Sequence, residues 1–330
     1  MHNPKDFEKS IARLLGHIFD SEVKLADIRR LSGGASQETW LISAGSHQLI
    51  LRRVPNGLSK SGNTTAITMR TEAAIVEAAS NAGIKVPKVL YTLKEEDGLG
   101  EGFIMDYIKG EAIARPILRD PEFASARKTL SWQCGEELAK IHALDTGEFE
   151  GISRMSGLAQ IDQYEAIYRD IGVSRPIFEL ALQWLRQTAP QPLPDVLVHG
   201  DFRLGNLMVQ SAGLAAVLDW ELAHIGDPRE DLGWICVNSW RFGQTENRVG
   251  GFGTIEPMLE AYNRRSGLNL KPDDIDWWEA LGIWKWGIMC LIMYEAFRSG
   301  SDESVERAAI GRRVSETEID LINLLERANA

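Results

Sequence analysis

The chain has 330 residues, of which 44% are hydrophobic and 25% charged, with 30 Gly and 12 Pro. This length suits about two domains or one two-lobed unit, and the composition excludes disordered and collagen-like chains. The net charge of −11 argues against an extended nucleic-acid surface, because neutralising phosphates requires clustered cations.

Targeting and redox signals are sparse. The first ten residues are polar with no apolar run behind them, so we expect neither a secretory signal nor a membrane anchor, and a cytoplasmic location. The longest apolar stretch, 281–294, falls short of the roughly 20 residues of a bilayer span and predicts a buried helix. Cys134, Cys236 and Cys290 are too widely separated for a disulfide framework or a C-x-x-C metal site.

The first third of the chain predicts a small antiparallel sheet. An amphipathic helix is expected over 6–20, followed by three strands, a helix that stops at Gly83, and two further strands. The predicted strands are 23–31, 35–44, 46–54, 86–93 and 101–110, and the second helix is 67–83.

Charge and pattern both change near Gly110. Residues 1–110 hold 14 Lys and Arg against 13 Asp and Glu, whereas the remainder holds 22 against 34 and is mostly helical in pattern. We therefore predict an α+β fold of two lobes, 1–109 and 110–330. The predicted helices of the second lobe are 124–143, 161–171, 177–188, 256–265, 274–298 and 301–328.

The polar residues of the stretch 197–234 point to phosphoryl transfer. Asn206 begins the first strand of a predicted hairpin and Asp219 ends the second, so antiparallel geometry returns both side chains to one end. Two oxygen ligands facing one point suit a Mg²⁺ that also binds phosphate oxygens. Asp201, five residues before Asn206, would lie beside that ion, placed to accept a proton from a substrate hydroxyl.

The segment HGDFRLGN, followed by DWE thirteen residues after its Asn, resembles the aminoglycoside phosphotransferase and choline kinase group, relatives of protein kinases. It is most similar to the kinase-like domain of acyl-CoA dehydrogenase fusion proteins and their free-standing bacterial relatives. The resemblance covers nearly the whole chain. It implies a protein-kinase-like bilobal fold, a nucleotide-binding first lobe, and an ATP- and Mg²⁺-dependent kinase for a small-molecule hydroxyl.

The resemblance also implies roles for individual residues. Asp201 matches the catalytic base, His199 the residue that shapes the catalytic loop, and Arg203 a cation directed at the γ-phosphate. The implied metal ligands are Asn206 and Asp219, with Glu221 as a ligand of a second Mg²⁺.

In the first lobe the resemblance places Arg52, at the end of the strand QLILR, on the nucleotide phosphates with Glu72 as its helix partner. The neighbouring Arg53 leaves the choice open, although strand alternation puts the two on opposite faces. The turn with Ser32, Gly33 and Gly34 resembles the phosphate-covering loop.

The segment FIMDYIKG would be the hinge that faces adenine, with the backbone between Met105 and Ile108, including Tyr107, as the contact. Asp231 is expected to accept hydrogen bonds from the backbone of the catalytic loop.

The acceptor stays open among aminoglycoside-, choline- and hydroxyacyl-type hydroxyl compounds. The acidic second lobe suits a cationic acceptor, and we expect the pocket beside Asp201, with Trp240 and Trp284 in its wall. Two alternatives remain: a protein kinase, disfavoured because HGD lacks the Arg of HRD, and a non-catalytic nucleotide-binding regulator. We expect no nucleic-acid or membrane partner, and a monomer or homodimer.

Overall fold

The computed structural model describes residues 4–21, 23–33, 37–55, 66–147 and 149–328. A small antiparallel sheet occupies its N-terminal part, and the remainder is mostly helical. The predicted α+β class is confirmed.

The N-terminal sheet has five strands in the order β1-β2-β3-β5-β4, all antiparallel. Two helices cover its faces: α1 packs against the side chains of one face and α2 against those of the other. The elements are α1 (Pro4–Phe19), β1 (Leu25–Gly33), β2 (Glu38–Ala44), β3 (His47–Val54), α2 (Met69–Asn81), β4 (Val89–Thr92) and β5 (Glu101–Asp106).

Strand β3 shows how alternation positions a functional side chain. Leu49 and Leu51 pack under α1, whereas Ile50 packs with the residues of α2 on the opposite face. Side chains alternate along a strand, so Arg52 shares the face of Ile50 and Arg53 that of Leu51. Arg52 is thereby directed towards α2.

Helix α2 lies within the predicted range 67–83, two residues shorter at each end. The Thr68 hydroxyl accepts a hydrogen bond from the Thr71 backbone N–H at 3.1 Å, which satisfies one free N–H of the first turn. Gly83, with φ of 72°, follows the last turn in a conformation that favours glycine.

Among the described residues the C-terminal part holds nine α-helices and two small two-stranded sheets, β6-β9 and β7-β8. In order these elements are α3 (Ala114–Arg119), α4 (Ala124–Ile141), α5 (Gly157–Ile171), α6 (Pro176–Gln187), β6 (Val196–Val198), β7 (Leu207–Gln210), β8 (Gly213–Val217), β9 (His224–Gly226), α7 (Arg229–Trp234), α8 (Ile255–Ser266), α9 (Asp273–Arg298), α10 (Val305–Gly311) and α11 (Val314–Ala328). The one-turn helices α3 and α7 and the strands β6 and β9 are too short to show a periodic pattern.

Helix α9 is the central element of the C-terminal part. By length and composition alone its 26 residues could cross a membrane, but 56% of its most apolar window is buried inside the molecule. Its residues pack in one cluster with those of α5, α6 and α11. This burial is typical of a core helix.

The prediction of one helix over 301–328 is wrong, because two helices, α10 and α11, occupy that range. Gly311 ends α10 against Tyr294 of α9, so closely that a Cβ at this position would meet the Tyr294 side chain. The break lets both short helices pack on α9.

Candidate active site

A loop between β6 and β7 carries the residues of the HGDFRLGN segment. The Asp231 carboxylate, on α7 and fully buried, accepts hydrogen bonds from the backbone N–H groups of His199 at 2.8 Å and Gly200 at 3.0 Å. The expected role of Asp231 is therefore seen in the structure. Gly200 has φ of 82°, and a Cβ there would meet the Leu222 carbonyl. Glycine is thus required at the start of the loop.

His199 fixes the other side of this loop. Its Nδ1 accepts from the Asp201 backbone N–H at 3.2 Å, so Nε2 carries the proton and donates to the Leu218 carbonyl at 3.1 Å. Burial lowers the pKa of His199 despite the neighbouring carboxylates, which agrees with a neutral ring. The ring therefore links the loop to the end of the β7-β8 hairpin.

Three donors hold the Asp201 carboxylate. Oδ1 accepts from the Trp234 indole N–H at 2.7 Å and from Arg203 Nε at 2.9 Å. Oδ2 accepts from Asn206 Nδ2 at 2.6 Å. The Arg203 guanidinium also lies over the Trp240 ring, 4.6 Å from its centre. Both oxygens of Asp201 are consequently fixed in direction before any substrate binds.

The β7-β8 hairpin brings Asp219 to Asn206. Leu207 pairs with Val217, and the Leu218 N–H donates to the Asn206 carbonyl at 2.8 Å. Asp219 adopts φ of 65°, a left-handed conformation that non-glycine residues rarely adopt and that is common at functional sites.

Arg52 forms two ion pairs, one with Glu72 within the N-terminal part and one with Asp219 of the C-terminal part. Its Nη1 lies 2.8 Å from Glu72 Oε1 and its Nη2 lies 2.7 Å from Asp219 Oδ1. Burial alone lowers the pKa of Arg52, but the charges of Glu72 and Asp219 outweigh it and the pKa is raised. Burial correspondingly raises the pKa of Asp219, and Arg52 outweighs that effect and lowers it. Both groups are charged at neutral pH.

Arg53 lies on the opposite face, as alternation predicts. Its guanidinium binds Glu38 at 2.8 Å, donates to the Leu99 carbonyl at 3.0 Å and lies over the Phe7 ring. Arg53 therefore serves packing between the sheet and α1, away from Asp219.

Glu221 is placed at the edge of this cluster. With the Gln37 amide oriented to satisfy both neighbours, its oxygen accepts from Arg52 Nη2 at 3.0 Å and its nitrogen donates to Glu221 Oε2 at 3.1 Å. Glu221 is not among the residues that line the neighbouring cavity, whereas the other predicted metal ligands, Asn206 and Asp219, are.

A cavity of about 360 Å³ lies between the sheet and the hairpin. Its walls are apolar on two sides, with Ile50 and Phe103 from the sheet facing Met208 and Val217 from the hairpin. At one end lie Arg52, Glu72, Asn206 and Asp219, and the predicted hinge residues Met105, Tyr107 and Ile108 also line it. Ser32 and Gly33 belong to β1, and Gly34 lies outside the described residues.

A second cavity, of about 150 Å³, opens on the other side of the same loop. Asp201 and Arg203 line it together with Trp240 and Trp286. Trp284, expected in this wall, is instead fully buried and donates to the Phe178 carbonyl at 3.2 Å. Residues two apart on a helix lie on nearly opposite faces, so Trp286 occupies the wall and Trp284 the core.

The described residues hold no group of three or more His, Cys, Asp or Glu side chains that could bind a metal ion alone. The donor set nevertheless fits Mg²⁺ bound with substrate phosphates, which needs only one or two protein ligands. Asn206 uses its Nδ2 on Asp201, which leaves its amide oxygen. Asp219 keeps Oδ2 without a partner among the described residues, and its side chain is 37% exposed.

Sequence comparisons identify relatives over most of the chain. The model of the "Phosphotransferase enzyme family" matches residues 27–268. Acyl-CoA dehydrogenase family member 10 of Mus musculus is 30% identical over 290 residues, which are 83% of this chain and 26% of the relative. Acyl-CoA dehydrogenase family member 11 of Gallus gallus is 25% identical over 95% of this chain and 43% of its own. The chain thus spans less than half the length of these relatives.

Solved structures agree in fold. A Ralstonia eutropha protein assigned as an aminoglycoside phosphotransferase superposes with a TM-score of 0.74 at 18% identity, over 97% of this chain and 98% of its own. A choline/ethanolamine kinase family protein of Mesorhizobium loti superposes with a TM-score of 0.63 at 21% identity, over 91% of this chain and 88% of its own. An aminoglycoside phosphotransferase in complex with AMP-PNP and hygromycin B superposes with a TM-score of 0.63 at 16% identity, over 97% of this chain and 99% of its own. These likenesses confirm the predicted kinase-like fold.

The loop and hairpin geometry, the family match over 27–268 and the 30% identity to acyl-CoA dehydrogenase family member 10 agree with the resemblance inferred from the sequence. The chain belongs to the phosphotransferase enzyme family that includes the aminoglycoside phosphotransferases.

Proposed function

We propose that the chain is an ATP-dependent phosphotransferase that moves the γ-phosphate of ATP to a hydroxyl of a small molecule. One observation carries this proposal: a single loop borders both cavities. Gly205 and Asn206 line the larger cavity, whereas Asp201 and Arg203 line the smaller one. A donor nucleotide and an acceptor bound on the two sides would meet at this loop.

The larger cavity suits ATP. Its apolar walls accommodate a planar base beside Met105, Tyr107 and Ile108, and its polar end holds the side chains for the phosphates. Arg52 is held rigidly by Glu72 and Asp219, which reduces the entropy cost of binding a phosphate there. AMP-PNP in one structural neighbour supports an ATP-type donor for this chain as well.

Asn206 and Asp219 are the residues that would hold Mg²⁺. When bound, the ion neutralises charge on the phosphate oxygens. Glu221, at the edge of the cluster, is proposed as a ligand of a second ion.

Asp201 is proposed to act as the base. Its carboxylate takes the proton of the acceptor hydroxyl while that oxygen bonds to the γ-phosphorus, and the bond from the γ-phosphorus to the bridging oxygen of ADP breaks. Trp234 and Asn206 hold the carboxylate in the required direction. Arg203 stabilises the charge on the transferred group. For this its guanidinium must break its hydrogen bond with Asp201 and bind the phosphate instead.

The acceptor class stays within aminoglycoside-, choline- and hydroxyacyl-type hydroxyl compounds. A screen of such compounds for acceptor-dependent ADP release tests the proposal. Release above the level with water alone supports it. ATP binding without release for any acceptor would instead favour the alternative, a nucleotide-binding regulator with a kinase-like fold.

A further inference from the structure

A buried polar cluster lies in the wall of the smaller cavity, and the proposed mechanism does not use it. Its members are Gln160 on α5, His224 on β9, Glu230 on α7 and Lys285 on α9, and all four line the cavity. Each of them is at most 9% exposed. Four elements of the fold thus converge to bury ionisable groups beside the loop.

The hydrogen bonds of His224 define its charge. Nδ1 lies 3.0 Å from the Leu222 carbonyl and Nε2 lies 3.0 Å from Glu230 Oε2. Both partners are acceptors only, so both ring nitrogens must donate and the ring is an imidazolium. Burial lowers the pKa of His224, but the Glu230 charge outweighs it and raises the pKa, which agrees with this geometry.

Both carboxylates that line the cavity already accept hydrogen bonds from side chains of the protein. Glu230 Oε1 accepts from Lys285 at 3.2 Å, and its Oε2 accepts from Gln160 at 2.6 Å as well as from His224. Asp201 accepts on both oxygens from Trp234, Arg203 and Asn206. The lining therefore presents three cations, Arg203, His224 and Lys285, and two carboxylates that each already accept hydrogen bonds on both oxygens from the protein's own side chains.

The aromatic rings of the cavity are also occupied by the protein's own cations. Arg203 lies 4.6 Å from the centre of the Trp240 ring, and Lys285 lies 5.5 Å from that of Tyr164 and 5.6 Å from that of Trp234. A cationic ligand is usually recognised by free aromatic faces or free carboxylates. Trp286, the remaining ring, packs against Trp240 with 4.8 Å between ring centres.

We propose that Lys285 and His224 determine acceptor specificity by excluding cationic acceptors, so that the pocket takes a hydroxyl compound that is uncharged or anionic around its reacting group. This inference rests on the proposed function. It also reverses the expectation drawn from the acidic second lobe, because the excess negative charge of that lobe does not line the pocket.

Matched isosteres that differ only in charge test the proposal. Three compounds have nearly the same shape and carry one hydroxyl each. They are choline, which is a cation; its neutral carbon isostere 3,3-dimethyl-1-butanol; and the anion obtained from that isostere when one of its three equivalent methyl groups becomes a carboxylate. Their affinities for the protein in the presence of Mg²⁺ and AMP-PNP are measured by calorimetry. Binding does not require turnover, so the result is independent of phosphoryl transfer.

The neutral and anionic isosteres are expected to bind more than about tenfold tighter than choline, the effect of one uncompensated charge at roughly 10 Å and an effective dielectric constant of about 20. His224→Gln removes one positive charge and should reduce the difference in affinity between choline and the other two compounds. Arg312→Gln removes the same charge at an exposed position and should leave that difference unchanged.

Equal or tighter binding of choline by the wild-type protein would overturn the proposal, and so would failure of the neutral isostere to bind. The wild-type comparison needs no variant, so it holds even if His224→Gln does not fold. Absence of ADP release with any acceptor, by contrast, would refute the proposed function alone.

Discussion

The indole N–H of Trp234 donates to Oδ1 of Asp201 at 2.7 Å. Trp234 is only 5% exposed and is held on α7, the same one-turn helix whose Asp231 binds the backbone of the loop. One helix therefore positions both the backbone and the carboxylate of the proposed catalytic loop.

Trp234→Phe should lower kcat for ADP release about tenfold or more, since a hydrogen bond to a charged group contributes about 1.5–3 kcal/mol. The KM for ATP should not change, because the indole does not line the larger cavity. Steady-state kinetics measure both quantities.

Trp286→Phe is the matched control for this variant. Its indole nitrogen has no partner among the described residues, although the ring lines the same cavity. Equal losses of kcat in the two variants would show that ring packing, not the hydrogen bond to Asp201, matters.

Arg52→Ala should raise the KM for ATP much more than Arg53→Ala. Both side chains are buried and ion-paired, but only Arg52 contacts Asp219 and lines the larger cavity. Arg53→Ala should mainly lower the melting temperature, through lost packing on Phe7 and a lost ion pair with Glu38. A larger KM effect at Arg53 would reverse the assignment.

Asp231→Asn should destabilise the fold by about 2–4 kcal/mol and lower kcat, because an amide cannot accept all the hydrogen bonds of the buried carboxylate. Its two oxygens accept from His199, Gly200 and His142. Denaturant unfolding measures the loss of stability. A variant as stable as the wild type would show that the loop does not depend on this carboxylate.

The stability of the protein should depend on His224 in a pH-dependent way. Its pKa in the folded protein lies above the ordinary value of 6.5, so its contribution is complete below about pH 6.5 and is lost as the pH rises through the folded value. The difference in unfolding free energy between wild type and His224→Gln should therefore be largest at the acidic end and shrink with rising pH. A difference that grows with pH would contradict the imidazolium assignment.

Local spacing was enough to predict which residues of one loop and one hairpin lie close together. His199, Asp201, Asn206 and Asp219 lie within one loop and one hairpin, so antiparallel pairing alone brings them together. Strand alternation likewise separates Arg52 from Arg53.

The acceptor side could not be predicted in this way. Lys285 meets Gln160 across 125 residues and Glu230 across 55, and no periodic pattern relates such distant positions. The choice of Trp286 over Trp284 depends on the rotation of α9 about its axis, which is set by packing against α6 and α11. Trp234, which donates to Asp201, packs in the same apolar cluster as these residues of α9.

The most direct test of the account compares ADP release by the wild-type protein and Asp201→Asn with the acceptors of the screen, alongside calorimetric titration with Mg·ATP. Removal of the base should lower kcat at least about 100-fold. Mg·ATP affinity should be nearly unchanged, because Asp201 lines the smaller cavity and not the larger one. Wild-type turnover by Asp201→Asn would contradict the central claim that this carboxylate accepts the proton in phosphoryl transfer.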